Sequence, residues 1–165
     1  MVGISQVIRR IAHAGVPVMG LGLAGGALAE DVTTYRSTAP FDEVRQNLAD
    51  AIVNRGYVID YEAHIGKMLV RTAGDVGASK TLFAKGRANA MQFCSAVLSR
   101  TTMQADVTNI AYCPYVLFVF QARSDDPAVT VGFRRLPARG SAESKAALAK
   151  VNKLLDDIAR EAAGP

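Results

Sequence analysis

The chain has no tryptophan, two histidines, two cysteines and six prolines in 165 residues. The cysteines, Cys94 and Cys113, are not spaced as a CxxC redox motif. His13 lies in an N-terminal stretch that reads as a cleaved signal, which would leave His64 alone and exclude an HExxH zinc site or a paired-imidazole iron site. A Ser-His-Asp or Cys-His system in the body of the chain would have to use His64, which reads as a solvated loop residue near Glu62. Acidic pairs occur at Asp125-Asp126, in a turn, and at Asp156-Asp157, on a helix face; neither has the setting of a buried acid/base pair. Long basic runs are missing too. Arg134-Arg135 and Arg139 form only a small cluster, so no nucleic-acid partner is expected.

The N-terminus reads as a secretory signal over residues 1–29. Arg9 and Arg10 give a positive start, and Ile11 to Leu28 carries no Asp, Glu, Lys or Arg. Ala27-Leu28-Ala29 is a small-x-small cleavage site, followed by Glu30, the first acidic residue. Glycines and Pro17 dilute the apolar run, which is short for a membrane span. The paired arginines permit a twin-arginine route, and no cysteine follows the cleavage site to carry a lipid anchor. The expectation is a periplasmic or secreted protein with no membrane anchor after cleavage. Removing 29 of the 165 residues leaves 136, enough for one domain over 30–165 with a sizeable core. Two of the 19 basic residues leave with the signal, so 17 face 15 acidic ones. Two cysteines in an oxidising compartment favour a disulfide.

Most information lies between Met91 and Phe120. Tyr115 to Phe120, YVLFVF, has the composition of a buried strand. Alternation puts Tyr115, Leu117 and Val119 on one face and Val116, Phe118 and Phe120 on the other, so both faces need cover. Pro114 marks a bulge or the start of the strand. A shorter strand over Ala88 to Cys94 and a helix within Ser95 to Ala105 complete a strand, crossover helix and strand. If those strands are parallel neighbours, Cys94 lies near the far end of the first and Cys113 near the start of the second. The two then meet only if the strands are adjacent and offset; otherwise they are two buried thiols.

The segments FCSAVLSR, MQAD and NIAYCPYVLFVF resemble the domain of unknown function 302 family, in its branch of small exported proteins. The resemblance runs from about Phe41 to about Arg135 and is most specific at Phe93-Cys94-Ser95 and Cys113-Pro114-Tyr115. It implies an α+β domain of the TATA-binding-protein-like β-α-β-α type, often dimeric. It implies no established activity, so no catalytic residue is carried over.

The remaining chain fits a small sheet of four to five strands with helices packed on it. Val32 to Arg36 reads as a strand and Pro40 to Asn54 as a helix with Phe41, Val44, Leu48 and Ile52 on one face. Tyr57 to Glu62 alternates, with Tyr57, Ile59 and Tyr61 directed to the core. Ile65, Met68 and Leu69 suggest a helical turn or two, broken by Gly74 and Gly77. Residues 74–81 nearly spell a phosphate-binding P-loop, with Ser79 where the motif requires glycine; a surface loop is the better reading. Ser124 to Pro127 turns the chain into a strand with Val129, Val131 and Phe133 inward. Ser141 caps a last helix whose stripe is Leu148, Val151, Leu155, Ile158 and Ala162. That stripe fits packing on the sheet better than a coiled-coil dimer.

Three functional readings follow. The first, and favoured, is a non-enzymatic binding module without a cofactor, forming a homodimer or holding an apolar ligand through one face of YVLFVF. Val116, Phe118 and Phe120 are its interface candidates. The second is a thiol-disulfide protein using Cys94 and Cys113. The third is a soft-metal carrier. Met91, Cys94, Met103 and Cys113, with His64 and Met68 as possible additions, would suit copper(I), although methionine is a common core filler.

Overall fold

The computed structural model describes residues 31–80, 82–122 and 127–164. Residues 1–30, where the sequence suggests a signal, Thr81 at the end of the near-P-loop, and Arg123 to Asp126 lie outside the described residues. Five strands form one antiparallel sheet: β1 (Val32–Ser37), β2 (Ile59–Ala63), β3 (Phe83–Phe93), β4 (Tyr115–Ala122) and β5 (Val129–Arg134), in the order β1-β5-β4-β3-β2. The helices are α1 (Phe41–Val53), α2 (Ile65–Thr72), α3 (Ala96–Ala105) and α4 (Ala142–Ala163), with a 3-10 helix at Val107–Tyr112 before β4. The α+β expectation therefore holds, with five strands.

Period-2 and period-3.6 patterns meet in one core. Val44, Leu48 and Ile52 of α1 and Leu148, Val151, Leu155 and Ile158 of α4 pack against Met91, Phe93, Leu117, Val119, Val131 and Phe133. Ser141 caps α4 by accepting a hydrogen bond from the Ser144 amide. Buried Asn109 joins α3, the 3-10 helix and α4, donating to the Thr102 carbonyl and the Ser144 hydroxyl at 2.9 Å each. Thus α3 belongs to the same helical layer as α1 and α4.

Three expectations are corrected. β3 and β4 are antiparallel, paired Phe93 with Tyr115 and Met91 with Leu117, so the unit between them is no crossover. The reason is that α3 packs on α4 and the chain then doubles back. Tyr61 does not join the core and is 60% exposed. A bulge between Ile59, opposite Phe93, and Tyr61, opposite Gln92, reverses the face of every residue beyond it. Glu62 therefore points to the core side instead. Finally, β3 is longer than expected because it begins at Phe83 and passes through its own irregularity before Ala88. There Lys85 and Gly86 both have positive φ, and the Gly86 backbone lies against the Gly66 backbone of α2.

Candidate functional site

Helices α1, α3 and α4 pack on one side of the sheet and leave the other only partly covered. Register places Val116, Phe118 and Phe120 of β4 on that side, beside Gln92, Ala90 and Ala88 of β3 and beside Gly132 and Thr130 of β5. Among the described residues, α1, α3 and α4 all pack on the other side, and α2 abuts β3. The Phe118 and Phe120 rings stack at 6.0 Å, and Phe83 meets Phe120 edge-on at 5.7 Å. Gly132 permits this arrangement. A Cβ there would strike the Phe118 ring at 2.6 Å and the Thr33 carbonyl at 2.5 Å. Phe118 and Phe120 remain half-buried, and Val116 is 37% exposed. Val32 and Tyr61 are exposed on this side nearer the two edges of the sheet, opposite Arg134 and Gln92 respectively. The other face of the same strand is fully internal: Tyr115, Leu117 and Val119 are buried.

Cys94 follows β3 and Cys113 precedes β4, at the same end of the antiparallel pair. Their Cα atoms are 6.4 Å apart, a disulfide separation. Tyr115 runs beneath them. Its hydroxyl lies 3.3 Å from that of Ser99, and burial raises its pKa.

The other members of the copper(I) set are dispersed. Met91 is fully buried in the core, Met103 is on α3, and Met68 is on the exposed side of α2. Among the described residues, no group of three His, Cys, Asp or Glu side chains could hold a metal. The near-P-loop runs from α2 towards β3, the reverse of the strand–loop–helix order that aims amides at phosphate. Asp156 and Asp157 are committed elsewhere on α4. Asp156 accepts from Tyr35 and Arg160, and Asp157 pairs with Lys153 at 2.8 Å.

One polar cluster was not legible in sequence order. On the core side of β2, Glu62 takes two hydrogen bonds from Arg45 of α1, the Nε one at 2.7 Å. Buried Asn89 of β3 donates to the same carboxylate at 2.5 Å and lies 2.9 Å from His64 Nδ1. His64 occupies the N-cap position of α2. Only the closeness of Glu62 and His64 was visible in the sequence; the β2 bulge and the register of β3 supply the rest.

Burial pushes the Glu62 pKa up, but the Arg45 and Asn89 hydrogen bonds outweigh it and hold the carboxyl below its usual value. Stability from this group is thus full above the unfolded carboxylate pKa of about 4.3 and is lost as pH falls through the lower folded value. Glu62→Gln is expected to lower stability at pH 7 by about 1–2 kcal/mol. It should also flatten the acid-side loss. Urea midpoints from pH 7 to pH 3 check both effects; parallel curves for the two proteins would contradict the linkage.

No family model and no curated protein match the chain. Among solved structures, it is similar to the crystal structure of an uncharacterized conserved protein, DUF302, from Bacillus stearothermophilus. The TM-score is 0.66 at 12% identity, covering 81% of this chain and 99% of that one. The chain has the fold of a DUF302 protein. The resemblance carried by the residues around Cys94 and Cys113 therefore agrees with the three-dimensional likeness. In this chain the helical layer of α1, α3 and α4 occupies one side of the sheet, and the aromatic row of β4 lies on the other.

Proposed function

We propose that this protein is a non-enzymatic binding module that acts outside the cytoplasm and forms a homodimer through the open face of its sheet. One observation carries the reading. A central strand of the sheet presents Val116, Phe118 and Phe120 on the side away from α1, α3 and α4. An incompletely covered row of large apolar side chains of this kind supports an interaction site. Two such faces packed together would form the second core of a sheet-on-sheet sandwich. The extracytoplasmic assignment is supported by the charged start, the diluted apolar run and Ala27-Leu28-Ala29, and by two cysteines at disulfide separation.

Light scattering on the chain from Glu30 onward is expected to give twice the monomer mass. Phe118→Glu places a charge in the middle of the face and is expected to yield a folded monomer, with unchanged far-ultraviolet circular dichroism. A monomeric parent protein carrying a co-purified apolar molecule would assign the face to a ligand instead. A monomeric, ligand-free parent protein would remove the main support for the reading.

A further inference from the structure

A second surface, which adjoins the open sheet face at Tyr61, lies where the free edge of β2 meets α2. It is a groove of about 510 Å³ lined by Tyr61, His64, Lys67, Met68 and Arg71, among others. His64, Lys67 and Arg71 stand at i, i+3 and i+7, so they share one face of α2 from its N-cap to its last turn. Neither Lys67 nor Arg71 has a side-chain ion pair or hydrogen bond among the described residues. The one carboxylate lining the groove, Glu62, is held by Arg45 and Asn89.

The buried amide also decides what His64 offers. A carboxylate only accepts, so Asn89 must turn its Nδ2 donor towards Glu62. The second hydrogen of that Nδ2 then faces His64 Nδ1 at 2.9 Å, and Nδ1 must accept it. The proton of the neutral imidazole is left on Nε2, the nitrogen that Asn89 does not engage. The groove consequently presents an ammonium, a guanidinium and an imidazole N–H. All three are donors, and the only acid beside them is already neutralised. Arginine and lysine side by side suit an oxyanion, the first as a planar fork and the second as a compact charge.

We propose that this groove is a binding site for the oxyanion group, phosphate or carboxylate, of a small soluble molecule. His64, Lys67 and Arg71 are its contacting residues, and Asn89 is the positioning residue behind His64. Another basic groove, at the start of α4, is weaker on the same grounds, because Asp31 and Asp156 line it together with Arg135 and Lys145.

The test titrates inorganic phosphate, and separately citrate, into the ¹⁵N-labelled protein while amide shifts are followed. The expected result is saturable shifts over residues 61–71, with a dissociation constant on the order of 1 mM for the better anion. Lys67→Ala/Arg71→Ala should weaken that binding about tenfold or more, whereas Arg135→Ala/Lys145→Ala should not. Phosphate binding more tightly assigns the site to phosphate esters; citrate binding more tightly assigns it to carboxylates. Shifts that do not saturate, that scatter over all basic residues, or that survive in the Lys67→Ala/Arg71→Ala protein overturn the proposal. Because this double substitution lies off the open sheet face, its result is distinguishable from failure of the dimer reading.

Discussion

Gly66→Ala is expected to destabilise the protein by about 3 kcal/mol or more, a lowering of the melting temperature on the order of 10 °C. Gly66 sits in the first turn of α2, where alanine would ordinarily be the better helix former. Its neighbour is backbone, however. An added Cβ would overlap the Gly86 carbonyl and come within 2.9 Å of the Ala88 amide nitrogen. No flexible side chain can swing aside, so α2 must lift from β3 or the Lys85–Gly86 irregularity must be rebuilt. Gly74→Ala is the matched control. It adds the same methyl where nothing lies within 4 Å, and should change stability by no more than about 0.5 kcal/mol. Thermal unfolding of the two variants gives the comparison. Equal melting temperatures would show that α2 does not rest on β3 backbone-to-backbone.

The second large effect concerns Cys94 and Cys113. Unfolded protein purified without reductant is expected to label at no free thiol. Replacing both residues by serine should lower stability by roughly 3 kcal/mol, the chain-entropy value for a loop of this length. The physical reason is the antiparallel return of β4. With Phe93 opposite Tyr115, Cys94 on one side and Cys113, one residue beyond Pro114, on the other lie at one end of the same pair, and the bridge closes the loop containing α3 and the 3-10 helix. Two labelled cysteines, or a double-serine variant as stable as the parent protein, would contradict this. A bridge reduced easily by the glutathione pool would move the pair towards the thiol-disulfide reading.

The sequence by itself determined the elements with strong periodicity. YVLFVF reads as a two-faced strand because every residue in it is apolar or aromatic, most of them aromatic or β-branched, and none is charged. The α1 and α4 stripes read as helices because their apolar residues recur every three to four positions. The resemblance of the Cys94 and Cys113 segments agreed with the fold for a related reason: those segments build the β3–β4 pair at the centre of the sheet.

Tertiary structure decided everything that depends on register. One extra residue at Asp60 sends Tyr61 out and Glu62 in, and a period-2 pattern cannot announce its own interruption. The direction of β4 relative to β3 depends on where α3 finds its partner, and that partner, α4, lies at the far end of the chain. The Arg45, Glu62, His64 and Asn89 cluster joins a helix, two strands and a helix cap, so its members share no sequence spacing. Which face of YVLFVF stays open was set in the same way. Both faces are equally apolar as text, and only the packing of α1, α3 and α4 on one side leaves Val116, Phe118 and Phe120 on the other.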